Sequence, residues 1–337
     1  MTNATKTLAL LFAGTVALAV VTSWSGSGPS SAAFQEQLLA VDTSAVQAIR
    51  IERSDGPPVR LQRTDTTWVV APTDTAATYP ADGRAVTQLF DTLPSLQVSA
   101  VATRQPDNHP RYGVDSTGTR VTMLGTGNEP LGSLIVGRTR IQRPQSQGRS
   151  QNPMQRMRRR RGGTPITYVR APDRPDVYAV EQSLRTVANR SVEDWREKRI
   201  WAVDRSDVQR IDFTVPGDSS FTMQRAAPDD TASAVGPSTW VSRGDTLSSS
   251  AASSVLRTLS SPQADGFVIG TTPDALGEPR YQIRLHLRDG SRRTLRLYPP
   301  SDGAYRGVAS GFEYVVRLQT STWDEVLRGR SALLPDN

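Results

Sequence analysis

The sequence contains no cysteine and only two lysines, Lys6 and Lys198, among its 337 residues. The absence of cysteine excludes disulfide bonds, thiolate metal sites and cysteine nucleophiles. A Gly-x-Ser-x-Gly elbow, which would place a nucleophilic serine, is also absent. The length favours two domains, and a hydrophobic content of 36% is enough for two modest cores.

The net charge of +7 is concentrated in one arginine-rich segment. Residues 138–161 contain nine arginines and no acidic residue, so the rest of the chain is close to neutral. We predict a disordered, solvated insert between two strands. Its functional alternative is electrostatic docking to anionic lipid headgroups or to an acidic partner. Nucleic acid is disfavoured, because no aromatic side chain lies between Ile141 and Ile166. The docking side chains would be Arg156, Arg158, Arg159, Arg160 and Arg161.

The N-terminus carries a membrane signal. Lys6 precedes an uncharged apolar run from Leu8 to Val21. We predict an uncleaved transmembrane helix over residues 7–24, followed by a flexible spacer to residue 33. A cleaved signal peptide is the alternative, with Ser31-Ala32-Ala33 as its cleavage site, and a buried soluble helix is a third interpretation. The first two place the residues after about 34 outside the cytoplasm, which indicates a single-pass inner-membrane protein with periplasmic domains.

The chain repeats itself. The segment Val41–Ile49 returns as Val203–Ile211, with six of nine positions identical at an offset of 162 residues. The same offset relates Leu61-Gln62-Arg63 to Met223-Gln224-Arg225. Such self-similarity predicts two tandem copies of one structural unit.

Each copy is predicted to be an α+β domain built mainly on an antiparallel sheet, with one main helix. The pattern predicts a strand meander that includes Trp68 or Trp240, then a helix, then a hairpin. The first helix is predicted to begin after an N-cap at Asp82 and to end before Pro94, and residues 254–259 of the second copy correspond to residues 88–93 of this helix. The predicted organisation is an anchor and spacer over residues 1–33, a first repeat over 34–199 with its insert at 138–163, and a second repeat over 200–337.

Several short motifs together resemble a bacterial family of unknown function, DUF4340. They are the opening at Val41–Ile49, Thr67–Val70, Ala81-Asp82, Tyr112–Val114, Thr167–Val169 and Asp176–Val180. Members of that family tend to be encoded beside ABC-type transporter components of the gliding-motility auxiliary kind. The resemblance implies an extracytoplasmic accessory subunit, and it supplies no catalytic residue and no cofactor. The arginine-rich insert has no place in the family pattern.

Candidate chemical groups are sparse. We interpret His109 as a loop histidine and His286 as a surface histidine flanked by Arg284 and Arg288 rather than by carboxylates. Asp42 and Asp204 occupy equivalent positions at the start of the two copies. This equivalence favours a role in turn formation over acid–base catalysis.

These features predict a non-catalytic, membrane-anchored accessory or scaffold protein of an ABC-transporter-like complex, without metal or cofactor. The alternative is an exported solute- or polymer-binding protein that uses the cleft between the repeats. A hydrolase acting on the cell envelope is the third hypothesis.

Overall fold

Alternating apolar and polar residues build two antiparallel sheets. The computed structural model describes residues 38–72, 77–142, 163–216, 220–226 and 239–335. Within these ranges, each sheet has nine strands. The chain divides into two compact units. The first comprises the described residues within 1–63, 71–76 and 84–190, and the second comprises those within 64–70, 77–83 and 191–337.

The first sheet has the strand order β4-β3-β2-β1-β6-β7-β8-β9-β5. Its strands are β1 Ala48–Arg53, β2 Gly56–Thr64, β3 Thr67–Pro72, β4 Tyr79–Pro80, β5 Val98–Thr103, β6 Thr119–Leu124, β7 Pro130–Gln142, β8 Thr164–Arg170 and β9 Val177–Val180.

The second sheet has the strand order β13-β12-β11-β10-β15-β16-β17-β18-β14. Its strands are β10 Val208–Thr214, β11 Phe221–Arg225, β12 Trp240–Ser242, β13 Asp245–Thr246, β14 Gly266–Phe267, β15 Tyr281–Leu287, β16 Arg292–Ser301, β17 Ala304–Ala309 and β18 Phe312–Gln319.

The two strand orders become identical when nine is added to each strand number of the first sheet. The pairing register agrees as well. Ile49 of β1 pairs with Leu61 and Met123, and Ile211 of β10 pairs with Met223 and Leu285. Each second-sheet residue follows its counterpart by 162 positions, the offset found in the sequence. The predicted duplication and the antiparallel α+β class are therefore confirmed.

Helices are few and short. They are α1 Gly83–Thr92, α2 His109–Tyr112, α3 Arg185–Ala188, α4 Val192–Trp195, α5 Ser249–Ser260 and α6 Thr320–Val326. Short 3₁₀ turns span Thr43–Ala45, Pro106–Asn108, Thr126–Asn128, Pro273–Leu276 and Arg330–Leu333. Helices α1 and α5 occupy the same place between β4 and β5 or between β13 and β14, so the predicted main helix of each copy is confirmed.

The core of the second unit lies between helix α5 and one face of its sheet. Val255 and Leu259 of α5 are buried in one cluster with Ile211 and Leu285 of the central strands. The apolar residues of α5 recur at the spacing of a helix, and those of the strands recur at every second residue, so both present one apolar side. Helix α1 buries Ala85, Val86 and Leu89 in the same manner.

The predicted transmembrane helix over residues 7–24 lies outside the described ranges. Among the helices that the structure does describe, none is long and apolar enough to cross a membrane.

The shared register yields a prediction about stability. Ile49 and Ile211 are both fully buried at equivalent positions. We expect Ile49→Ala and Ile211→Ala each to lower the free energy of unfolding by about 2–4 kcal/mol, because each leaves a cavity between paired strands. Urea unfolding followed by tryptophan fluorescence measures the loss. Gln224→Ala, an exposed position on β11, is the control and should change stability by less than about 0.5 kcal/mol. Equal midpoints for Ile211→Ala and Gln224→Ala would contradict the assigned register.

Candidate functional site

The arginine-rich segment connects two paired strands. Gln142, at the end of β7, pairs with Thr164, at the start of β8. The insert lies between two strands, as predicted, but its predicted start at residue 138 is wrong, because residues 138–142 belong to β7. The predicted docking residues themselves, Arg156, Arg158, Arg159, Arg160 and Arg161, lie outside the described residues.

The acids that open the two copies form turns. The Oδ1 atom of Asp42 accepts hydrogen bonds from the Ser44 backbone N–H at 2.9 Å and from the Ser44 hydroxyl at 2.7 Å. Asp204 accepts the equivalent bonds from Ser206 at 2.8 and 2.7 Å. The serine hydrogen bonds lower the pKa of both carboxyl groups. The interpretation of these acids as turn residues is confirmed, because a carboxylate committed to its own turn is a poor proton donor.

The interpretation of His109 as a loop histidine is wrong, because His109 is the first residue of the short helix α2. Its Nε2 atom donates a hydrogen bond to the carbonyl oxygen of Pro175 at 2.8 Å. This contact joins helix α2 to the loop between β8 and β9.

His286 belongs to a polar cluster that the sequence did not reveal. Its Nε2 atom lies 2.7 Å from Oδ2 of Asp212 on the neighbouring strand β10. The other carboxylate oxygen, Oδ1, accepts hydrogen bonds from Nε of Arg210 at 2.7 Å and from the hydroxyl of Thr222 at 2.9 Å. The interpretation of His286 as a surface histidine flanked by arginines missed this carboxylate, which comes from the neighbouring strand.

The carboxylate of Asp212 is the centre of this cluster. Burial would raise its pKa, but the hydrogen bonds from Arg210, Thr222 and His286 outweigh burial and lower it. Asp212 therefore stays ionised at neutral pH and crosslinks strands β10, β11 and β15.

The cluster does not form a hydrolytic triad, because the Thr222 hydroxyl donates to Asp212 rather than to the histidine. In the described part of the chain, no group of three or more histidine or acidic side chains could hold a metal ion.

A comparison of the two copies is the signal that identifies this cluster. The offset of 162 relates its members Arg210, Asp212, Thr222 and His286 to Ala48, Arg50, Arg60 and Leu124. The pairing is the same in both sheets, since His286 pairs with Arg210 and Leu124 pairs with Ala48. The first sheet thus forms without this cluster. The cluster is present in the second copy and is not required by the fold.

The architecture defines a duplicated α+β protein with two antiparallel sheets. A family model described as "Domain of unknown function (DUF4340)" matches residues 68–144 and 161–281, and these make up more than half of the chain. The chain belongs to this family. The match is interrupted between residues 144 and 161, within the arginine-rich segment. No curated protein and no solved structure matches the chain significantly.

The Asp212 cluster yields a prediction about pH. Asp212→Asn replaces a charged acceptor of three hydrogen bonds, and we expect it to lower the free energy of unfolding at pH 7 by about 1–2 kcal/mol. Because the pKa of Asp212 is lowered in the fold, its stabilising effect is present at neutral pH and is lost as the pH falls through that value. The difference between wild type and variant should therefore shrink below about pH 4.

Urea unfolding at pH 7, 5 and 3 measures this difference. Asp207→Asn is the matched control, since no described residue forms a hydrogen bond or ion pair with that carboxylate. A difference between wild type and Asp212→Asn that stays constant down to pH 3 would show that the lost contacts are not charge-dependent.

Proposed function

We propose that this chain is a membrane-anchored accessory or scaffold protein, with both sheet units on the extracytoplasmic side. The observation that carries the proposal is the duplicated nine-stranded frame. Two sheets of one topology provide two broad surfaces of similar geometry, which suits a protein that holds other components. The uncharged run from Leu8 to Val21, preceded by Lys6, would supply the anchor.

The partner proposed for this scaffold is an ABC-transporter-like membrane complex of the gliding-motility auxiliary kind. Membership of DUF4340 supports the proposal, because the resemblance described above connects that family with such transporters. The copies also differ mainly on their outer faces, as the Asp212 cluster shows. Partner binding requires this kind of divergence, whereas folding requires shared cores.

The arginine-rich segment would provide a second contact with the membrane or with an acidic partner. It connects β7 to β8, the pair that extends beyond the body of the first sheet to Gln142. Each arginine close to an anionic membrane surface contributes about 1 kcal/mol of attraction. Such a contact would orient an anchored protein that is otherwise tethered only by its N-terminus.

Fractionation of cells tests the anchor. We expect the full chain to sediment with membranes and to resist extraction by high salt, and a variant lacking residues 1–33 to be soluble and folded. Leu18→Arg is the matched control within the full-length chain, because a charge in the middle of the apolar run disfavours insertion. The mass of the purified protein separates an uncleaved anchor from a cleaved signal peptide.

Co-purification from detergent-solubilised membranes tests the partner. The proposal predicts recovery of transporter-like membrane subunits with the full chain and their loss with the Leu18→Arg variant. A protein that is membrane-bound but retrieves no such subunit in several detergents would overturn the transporter proposal. A small solute or polymer in the purified material would instead support the solute-binding alternative.

A further inference from the structure

Four arginines form a diagonal stripe on the outer face of the second sheet. Residues opposite each other in antiparallel strands share a face. Arg306 of β17 lies opposite Arg317 of β18, and Arg296 of β16 lies opposite Val308, two residues from Arg306. Arg284 of β15 lies opposite Thr294, two residues from Arg296. We call these four residues, Arg284, Arg296, Arg306 and Arg317, the arginine stripe.

The fold does not require the arginine stripe. The equivalent register positions of the first sheet hold Thr122, Ile135, Tyr168 and Ala179. Two of these, Ile135 and Tyr168, pack into a small apolar cluster with Val114. The second copy keeps a comparable small cluster of Leu276, Tyr298 and Val315, against which Val308 packs, and places the four arginines beside it.

Three of the four stripe arginines have no ion-pair partner within the described chain. Arg317 donates to Glu193 at 2.8 Å, but Arg284, Arg296 and Arg306 form no ion pair with any residue that the structure describes. The Nε atom of Arg306 is buried without a hydrogen-bond partner. Like charges opposite each other destabilise a sheet. An anion between Arg306 and Arg317 would relieve this repulsion.

Three acids lie near the stripe, but none forms an ion pair with Arg284, Arg296 or Arg306 in the described chain. Asp212 lies opposite Arg284 and accepts three hydrogen bonds in its own cluster. Asp265 accepts a hydrogen bond from the backbone N–H of Gln319 at 2.8 Å, and Asp302 accepts one from the Ser301 hydroxyl at 3.2 Å.

A groove adjoins one end of the stripe. It has a volume of about 690 Å³, and Arg306 and Arg317 lie in its wall. Its lining also contains Phe267, Val268 and Ile269. Ile269 is 89% exposed, so its side chain is open to contact with a ligand. The groove therefore combines apolar side chains and two guanidinium groups with the carboxylates of Asp265 and Asp302.

We propose that the arginine stripe and this groove bind an acidic segment of a partner protein. Carboxylates of the segment would pair with the stripe, and an apolar side chain next to them would enter the groove beside Ile269. The stripe runs diagonally over about 20 Å from β15 to β18, the length of an extended segment of roughly six residues. A concave groove suits a peptide chain better than the flat headgroup layer of a membrane. This inference is independent of the proposed anchor and transporter partner.

A labelled peptide of alternating glutamate and leucine residues tests the inference. Fluorescence anisotropy measures its affinity for the purified full-length chain in detergent. We expect the triple variant Arg284→Gln/Arg296→Gln/Arg306→Gln to bind the peptide about tenfold more weakly, since each lost pair reduces affinity by a few-fold. The single variant Arg296→Gln, at an exposed position, should bind a few-fold more weakly. This single variant still tests the proposal if the triple variant does not fold.

The matched control removes the same charge from the first unit, outside the arginine-rich segment. Arg50 of β1, Arg120 of β6 and Arg185 of α3 are exposed there, and their replacement by glutamine should leave peptide affinity within about twofold. An equal loss in this control would reduce the effect to general charge attraction and overturn the proposal. Unchanged binding by both stripe variants would also overturn it. Binding of phosphatidylglycerol vesicles, but not of peptide, through these arginines would assign the stripe to the membrane surface instead.

Discussion

The structure depends on the pairing register of three central strands in each sheet. Ile211 of β10 lies between Met223 and Leu285, and all three are fully buried. Because side chains alternate along a strand, this register places Arg210 and Asp212 on the opposite face. A slip of one residue would turn these charges into the core and would expose Ile211. The cost of burying an unpaired charge, several kcal/mol, therefore fixes the register together with the apolar contacts.

The same constraint separates what duplication preserves from what it leaves free to change. The inward positions of the three central strands are apolar in both sheets and correspond at an offset of 162 residues. The outward positions carry no such requirement, so they have diverged. Arg50 and Leu124 in one copy correspond to Asp212 and His286 in the other. Differences between the outer faces are therefore the best place to look for function, since folding alone does not explain them.

Local patterns predicted most of the individual elements. Alternation predicted the strands around Ile49 and Ile211, helical spacing predicted α1 and α5, and paired acids predicted the turns at Asp42 and Asp204. These features depend on contacts between residues close in sequence, which a pattern along the chain reports directly.

Contacts distant in sequence were beyond the same reasoning. Asp212 and His286 are 74 residues apart in the sequence. They meet because β10 pairs with the distant strand β15 as well as with its sequence neighbour β11. The arginine stripe likewise spans four strands, and its members share a face only once the register of β15–β18 is known. The strand order that unites such groups depends on long-range pairing, which local patterns do not encode. The duplication partly overcomes this limit. Aligning the two repeats shows which equivalent positions carry different residues.

The second unit uses arginine in two distinct ways, and the contrast clarifies the stripe. Arg225 donates to the carbonyl oxygens of Val208 and Arg205, both at 2.7 Å, and its guanidinium lies over the ring of Trp240. Burial lowers the pKa of Arg225. The two carbonyl oxygens and the aromatic face replace part of the water that its charge loses on burial.

Arg296 has no such partners within the described chain and lies exposed on β16. A structural arginine is held by groups of its own fold, as Arg225 is. The unpaired arginines of the stripe are held by no such groups in the described part of the chain. They are instead suited to pair with anionic groups of another molecule.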